Sequence, residues 1–283
     1  MKTLPDYHTW RQKVGAGALA LSAWAVLFFL ILPILIIVPL SFNADPFFSF
    51  TKGMVHLDPQ AYSLQWYSAV FHSQKWSLAI RNSFFIASSA TVIATALGTL
   101  AAMGLASEDM PFRRTITALL LSPMIVPLII VAAGMFFFYA RFGLVGSYTG
   151  VIIAHAVLGV PFVIITVTAT LSGFDRSLYR AALSLGASPF KAFCGIIIPL
   201  IRPGVIAGAL FAFATSFDEI VLILFLAGPE QVTIPRQMFS GLREQINPTI
   251  LAVATLLILI SILLLAALEL LRRRTERIRA NHR

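Results

Sequence analysis

Arg180-Ala181-Ala182-Leu183-Ser184-Leu185-Gly186, followed after nine residues by Ile196-Ile197-Ile198-Pro199, lies between two strongly apolar stretches. The first part predicts a short helix over residues 176–185, with Asp175 as its N-cap. Gly186 can adopt a left-handed conformation and end that helix. A break at this glycine favours an ordered segment that projects from the apolar stretches on either side.

The part of the segment after Gly186 predicts a second helix. Ser188 is a favourable N-cap, and Pro189 would occupy the first helical position, where a missing N–H does no harm. An apolar face follows at Phe190, Phe193, Ile196 and Ile197. Pro199 and Pro203 are expected to bracket the start of the next apolar stretch. The whole pattern therefore predicts an elbow of two short helices.

The composition is that of a membrane protein. Of the 283 residues, 58% are hydrophobic and 12% are charged, whereas soluble domains carry about 25% charged residues. The net charge of +9 is compatible with nucleic-acid binding, but the basic residues cluster in short loops and at the tail, as membrane topology predicts. Cys194 is the single cysteine, so it forms no internal disulfide.

Six apolar stretches predict an all-α fold with six transmembrane helices, since about 20 apolar residues cross a hydrocarbon core of about 30 Å. The predicted spans are 19–42, 79–106, 115–140, 147–171, 203–227 and 249–271. Residues 172–202 form a loop, 1–18 an N-terminal segment, and 272–283 a basic tail held at anionic lipid. Most of the 21 lysine and arginine residues fall on one side if both termini are cytoplasmic, which predicts that orientation.

The spacing of Ala181-Ala182, Gly186 and the final Ile-x-Ile-Pro resembles the EAA loop of bacterial ABC importer permeases. The resemblance implies that this loop docks separate ATPase subunits through the residues Arg180, Ala181, Ala182, Gly186, Ser188, Phe190 and Pro199. The other interpretation is an ordinary amphipathic loop on the bilayer.

Arg180 departs from the family pattern, which usually has glutamate at this position, and it reverses the charge there. Either the ATPase groove carries a compensating acidic group, or a second permease in a heterodimer supplies the standard glutamate.

Four further segments (63–67, 82–83, 121–127 and 216–219) resemble the spermidine/putrescine group of these permeases. This group also has relatives for opines, aminophosphonates and 4-aminobutyrate, and more distant ones for thiamine or ferric iron. The resemblance implies a bacterial inner-membrane permease that pairs with a homologous permease, two ATPase subunits and a periplasmic substrate-binding protein.

The chain itself is predicted to be a non-catalytic subunit without a cofactor. It has no GxxxxGK[ST] loop and no nucleophile elbow, so ATP and magnesium are expected on the ATPase subunits. Its five histidines lack metal-ligand spacing.

Asp218 and Glu219 lie inside the fifth predicted span, where an isolated carboxylate costs roughly 2.5–3.5 kcal/mol. Such residues usually face a bundle interior or a water-filled path, and a cationic substrate needs anionic partners. Because successive helical residues point about 100° apart, one carboxylate is expected to face the path and the other a neighbouring helix or subunit. Asp218 is the predicted path residue. The alternatives are hydrogen bonds to Ser or Thr, or a protonated carboxyl.

Phe138 and Tyr139 end an aromatic run on the third predicted span. They are candidates for cation–π contacts or a hydrophobic gate along the path, with plain packing as the alternative.

Two other functions are compatible with a charged membrane bundle. An ion-coupled secondary transporter would explain the acidic pair, but it would leave the 172–202 loop unexplained and would usually show an internal repeat. An intramembrane enzyme would need a catalytic set that the chain lacks. Co-purification with an ATPase distinguishes a permease from the first of these.

Overall fold

The structure, a computed structural model, describes residues 10–107, 110–172, 176–244, 248–263 and 266. All regular elements among these residues are helical, which confirms the predicted all-α class for the described part of the chain. Two compact units are present: residues 1–73 with 241–283, and residues 74–240.

The helices are α1 (Trp10–Leu40), α2 (Lys52–Val55), α3 (Gln65–His72), α4 (Gln74–Ala106), α5 (Arg113–Ile125), α6 (Leu128–Ala140), α7 (Tyr148–Ser172), α8 (Arg176–Ser184), α9 (Pro189–Ala192), α10 (Ile198–Phe217), α11 (Val221–Leu226), α12 (Ile234–Glu244) and α13 (Thr249–Leu263). Short 3₁₀ turns cover Pro59–Ala61 and Pro229–Gln231, and a π-helical turn covers Phe193–Ile197.

In the unit formed by residues 1–73 and 241–283, the chain after α1 is fixed to α3. The Ser41 hydroxyl and the Tyr67 hydroxyl lie 2.6 Å apart, and the Trp66 indole N–H donates to the Asn43 carbonyl at 2.7 Å. These hydrogen bonds join α3 to the residues after α1 and satisfy polar groups of Ser41 and Asn43, which are both buried.

In the unit formed by residues 74–240, α4, α7 and α10 pack together through small residues. A Cβ placed on Gly159 of α7 would lie 3.0 Å from the Cβ atoms of both Ala94 and Ala212. A Cβ on Gly98 of α4 would lie 2.6 Å from the Cβ of Val163. Small residues at these contacts let helix backbones approach closely, which is the main source of packing between membrane helices.

A second buried cluster joins α6, α7 and α11. Its members include Tyr139, Val151, Leu222, Ile223 and Leu226, all at most 5% exposed. Helix α11 has six residues, too few for a helix that is stable by itself. It is therefore stabilised by the packing of its apolar side chains in this cluster.

The predicted third span, 115–140, is not one straight helix. The structure has α5 and α6 instead, bent by 103° at Val126-Pro127. The residue before a proline is driven toward extended backbone, and Val126 has φ −72° and ψ 136°. Proline at position 127 also removes the N–H that would continue α5.

Helical structure also begins well before residue 203, the predicted start of the fifth span. Helical structure runs from Pro189 to Phe217, through the π-helical turn, Pro199 and Pro203. Pro199 has no N–H to donate to the preceding turn, and the wider π-helical turn at Phe193–Ile197 lies directly before it. The expected second short helix of the elbow is therefore the beginning of a long one.

Among the described residues, four helical segments are long and apolar enough to cross a membrane: α1, α4, α7 and Pro189–Phe217. The bent pair α5–α6 would make a fifth if it counts as one span. The described part of the sixth predicted span, α13, is shorter than these segments, and its remainder, residues 264–271 apart from 266, lies outside the described residues together with the 272–283 tail.

Candidate docking segment and substrate path

The first half of the candidate docking segment, residues 172–202, has the predicted local geometry. Helix α8 ends at Ser184, and Gly186 follows with φ +87°. The Gly186 N–H donates to the Leu183 carbonyl, and the Ala187 N–H donates to the Ala182 carbonyl, both at 3.0 Å. This pair of bonds is a Schellman motif, which closes a helix at a glycine with left-handed backbone. The predicted cap Asp175 lies outside the described residues.

The second half begins as predicted at Ser188. The Ser188 hydroxyl accepts a hydrogen bond from the Lys191 N–H at 3.3 Å, and Pro189 takes the first helical position. The Ile198 N–H reaches back five residues to the Phe193 carbonyl, which is the hydrogen bond of a π-helical turn. This wider turn precedes Pro199 and connects α9 to α10 without a break.

Large apolar side chains on the docking segment are exposed. Leu185 is 88% exposed, Phe190 74% and Leu178 53%. Arg180 and Ala181 are exposed too, and Ala182 is half-buried beside them. Exposed apolar side chains beside capped helix ends fit both interpretations of this segment, a surface for a partner and an amphipathic loop on the bilayer.

At the other end of α10 the helix stops at the acidic pair. Asp218 is the C-cap residue of α10, and its side chain is exposed. Glu219 is 9% exposed, and its carboxylate accepts hydrogen bonds from the N–H groups of Val221 (2.5 Å) and Leu222 (3.0 Å). These are the first two residues of α11, whose N–H groups have no partner within the helix. The two adjacent carboxylates thus have different surroundings: one caps a helix and one is open.

Asp218 and Glu219 follow the last residue of α10. The helical segment that ends before them, Pro189–Phe217, is long and apolar enough to cross a membrane, but its first part, residues 189–202, belongs to the candidate docking segment. The location of the acidic pair inside the fifth span therefore stays a prediction.

Phe138 and Tyr139 take different positions on α6. Tyr139 is 5% exposed and belongs to the buried cluster of α6, α7 and α11, so the structure places it in the core. Phe138 is 58% exposed and its ring centroid lies 5.0 Å from that of Phe142. Only Phe138 of this pair presents its ring to the surroundings.

Another aromatic cluster includes Phe217, the residue before Asp218, and it was not among the predicted site residues. The ring of Phe217 stacks on that of Phe213 with centroids 5.6 Å apart, and Phe84 of α4 meets Phe217 edge-on at 5.2 Å. Phe84 is 44% exposed. The four-residue spacing of Phe213 and Phe217 was visible in the sequence, but the approach of Phe84 depends on how α4 and α10 pack.

A buried polar contact lies two residues before Asp218. His155 of α7 is 1% exposed, and its Nδ1 lies 2.8 Å from the Ser216 hydroxyl. This contact fixes the last turn of α10 to α7. It therefore positions the break at which Asp218 stands.

The turn after α11 is fixed to the bundle by Asn82. The Asn82 side-chain amide donates to the carbonyls of Glu230 (2.7 Å) and Val232 (2.9 Å), and the Tyr148 hydroxyl donates to Asn82 Oδ1 at 2.9 Å. Ser83 accepts from the Ile234 N–H at 2.8 Å. Asn82 and Ser83, which the sequence suggested only as part of a family resemblance, thus have a structural role.

Relatives with known roles resemble this chain over most of its length. The spermidine/putrescine transport system permease protein PotC of Escherichia coli (strain K12) is 28% identical over 249 residues, covering 88% of this chain and 91% of the relative. The putrescine transport system permease protein PotI of the same organism is 30% identical over 238 residues, covering 81% and 82%. Polyamine permeases are therefore homologues of this chain.

Solved structures share the fold. A chain of a bacterial ABC transporter for import of the acidic polysaccharide alginate superposes with a TM-score of 0.72 at 15% identity, covering 94% of this chain and 99% of that one. A chain of a bacterial alginate ABC transporter in complex with a pentasaccharide-bound periplasmic protein gives 0.64 at 16% identity, covering 88% and 92%.

The family model described as "Binding-protein-dependent transport system inner membrane component" matches residues 67–277. The match includes α4, the docking segment, the acidic pair and the aromatic cluster. The chain belongs to this family, the inner-membrane permeases of ABC importers.

Proposed function

We propose that this chain is one of two permease subunits of an importer for a small aliphatic amine, most simply a polyamine. A homologous permease supplies the other half of the path. Two ATPase subunits, which hold ATP and magnesium, dock at residues 172–202, and a periplasmic binding protein delivers the substrate. The chain itself performs no chemical step.

The ATPase assignment rests on the docking segment, which is exposed. Its first helix is capped at its C-terminus and its second helix is capped at its N-terminus. Its Schellman motif ends the first helix and its Ser188 cap begins the second, and its apolar side chains Leu185 and Phe190 are exposed. Because the second helix continues into α10, one helical segment connects the docking segment to Asp218, and movement of the docking segment can reach Asp218 along it.

The amine assignment rests on Asp218 together with the polyamine-permease relatives. Asp218 is the exposed member of the acidic pair, and the stacked rings of Phe213 and Phe217 lie directly before it. A carboxylate and aromatic faces each attract an organic cation. Glu219 is occupied as a cap and is not part of this proposal.

The membrane arrangement proposed is six spans with both termini in the cytoplasm of a bacterium. Its support is the four long apolar helical segments, the bent pair α5–α6 and the apolar α13, together with the distribution of lysine and arginine. The docking segment then faces the ATPases in the cytoplasm, and Asp218 faces the periplasmic side.

The test of the complete proposal is reconstitution. The chain is co-expressed with the partner permease and ATPase, the complex is purified through a tag on this chain, and ATP-dependent uptake of labelled putrescine, spermidine and 4-aminobutyrate is measured with the binding protein present. Co-purification of the ATPase and uptake of a polyamine are expected. Uptake of 4-aminobutyrate alone would move the chain to an amino-acid importer, and transport without any ATPase would overturn the ABC assignment.

Replacing Gly186 by alanine is expected to weaken ATPase docking severalfold. A Cβ at φ +87° costs about 1–2 kcal/mol, because the left-handed conformation brings it close to the carbonyl oxygen. The matched control is Gly195→Ala in the same segment, where an added Cβ meets no atom within 4 Å and φ is not positive. The measurement is the ATPase-to-permease ratio after purification. An equal ratio in both variants would contradict a docking role for the geometry at Gly186.

A further inference from the structure

A cavity of about 690 Å³ lies between α4 and α10. Thr91, Thr95 and Thr99 of α4 line one wall, and Ile201 and Val205 of α10 line the other. The Oγ1 atoms of the three threonines are buried, so these side chains present carbon atoms to the cavity. The walls are therefore apolar and suit a hydrocarbon chain.

One charge lies at this apolar cavity. Arg202 is the charged member among the described residues that line it, and its side chain is exposed. Within the described part of the chain, no residue forms an ion pair or a hydrogen bond with its guanidinium. A guanidinium presents a planar set of donors that matches the oxygen atoms of a phosphate group. The cavity thus combines apolar walls with a cation that is available to an anionic headgroup.

The contacts with α7 show where Arg202 lies along the bundle. A Cβ on Gly98 of α4 or on Gly208 of α10 would meet Val163, so the two glycines lie at the same level. Met103 follows Gly98 by five residues and Arg202 precedes Gly208 by six, which places them roughly 8 and 9 Å closer to the docking segment. Helix α4 ends three residues after Met103. Arg202 therefore stands beside the end of α4, at the membrane boundary of the proposed arrangement.

The cavity has the length of one bilayer leaflet. On α4 its lining runs from Thr91 to Met103, which is about 18 Å of helix, and one leaflet of a hydrocarbon core of about 30 Å measures about 15 Å. Val92 and Leu100 also line it and are 69% and 63% exposed, so the cavity is open along α4. We infer that it binds an anionic phospholipid of the cytoplasmic leaflet, with an acyl chain between α4 and α10 and the phosphate at Arg202.

The headgroup, not the acyl chain, determines the preference of this site. A chain that moves from bilayer to cavity exchanges one apolar surrounding for another, so its contacts discriminate little between lipids. An arginine near the membrane surface favours an anionic lipid about fivefold. The same guanidinium disfavours a cationic amine. The inference uses only the membrane orientation of the proposed function and does not depend on the transported substrate.

The first experiment is photolabelling of the complete complex in phosphatidylcholine vesicles that contain a phosphatidylglycerol with a diazirine in its acyl chain. Crosslinked peptides are identified by mass spectrometry. Labelling within residues 91–103 and 198–209 is expected, and it should fall about fivefold in Arg202→Gln. Labelling by a diazirine phosphatidylcholine is expected to be equal in wild type and Arg202→Gln. The control is Arg114→Gln on α5, an exposed arginine that does not line the cavity.

Two results would overturn the inference. Equal phosphatidylglycerol labelling in wild type and Arg202→Gln would show that the guanidinium does not select the headgroup. Absence of labels from both segments in the assembled complex would mean that another subunit covers the cavity. Labelling requires neither ATP nor an amine, so both results leave the proposed function intact. Conversely, a complex that transports no amine would overturn the proposed function and leave the lipid site standing.

A second variant tests the acyl-chain position without changing a charge. Ala209 lines the cavity, and Ala209→Trp is expected to fill it and to reduce labelling by both lipid probes severalfold. Leu210→Trp is the matched control, because Leu210 is 55% exposed and does not line the cavity. Labelling of Ala209→Trp that equals that of Leu210→Trp would exclude the cavity as the position of the chain.

Discussion

ATP-driven uptake of putrescine is expected to fall at least about tenfold when Asp218 is replaced by asparagine. The asparagine keeps the size of the side chain and removes its charge. A hydrogen bond to a charged group contributes about 1.5–3 kcal/mol, which corresponds to roughly ten- to a hundredfold in binding. Asp218 is exposed at the end of α10, so the substitution leaves no buried group without a partner. The complex is therefore expected to assemble normally.

The adjacent Glu219 provides the matched control. Glu219→Gln keeps an acceptor oxygen for the N–H groups of Val221 and Leu222, so uptake within about threefold of wild type is expected. Glu219→Ala removes this cap, which costs about 0.5–2 kcal/mol, and should lower the amount of folded protein instead. Normal uptake by Asp218→Asn in an assembled complex would make Asp218 structural. A larger loss in Glu219→Gln than in Asp218→Asn would reverse the two roles.

The local geometry of the docking segment was predictable because its signals are local. A helix stop at Gly186 and a cap at Ser188 depend on backbone conformation and on one side-chain bond each, and both are found. The continuation through Pro199 was not predicted, because the sequence does not distinguish a proline that ends a helix from one that follows a widened turn inside a helix. Whether the helix ends or continues at Pro199 depends on the preceding turn, which is π-helical over Phe193–Ile197.

The bend between α5 and α6 could likewise be predicted only in part from the sequence. Pro127 predicts an interruption, but its size of 103° depends on the neighbouring helices. The side of a helix that an aromatic ring faces is likewise a tertiary property. Tyr139 was a candidate path residue and is buried, whereas Phe84, on another helix, contacts the ring that precedes Asp218. Uniformly apolar helices carry little periodic signal to distinguish these cases.

Replacing Gly208 by valine is expected to prevent the bundle of α4, α7 and α10 from packing. Gly204, Gly208 and Ala212 repeat every four residues on α10 and give it a flat face toward α7. A Cβ on Gly208 would lie 2.8 Å from the Cα of Val163, a backbone atom that cannot rotate away. Overpacking of this kind costs about 1–3 kcal/mol or more, which lowers the ratio of folded to unfolded protein roughly five- to more than a hundredfold.

The control for Gly208→Val is Gly134→Val on α6, because a Cβ at Gly134 meets no atom within 4 Å. Both variants add the same β-branched side chain inside a helix, so the intrinsic cost of valine is shared and the difference reports packing against α7. The measurement is the yield of monodisperse, detergent-solubilised protein and its thermal unfolding midpoint. Equal yields and midpoints would mean that α10 can move away from α7 without loss. In that case α10 would not be fixed along its length by α7, and movement of the docking segment would not reach Asp218 through this packing.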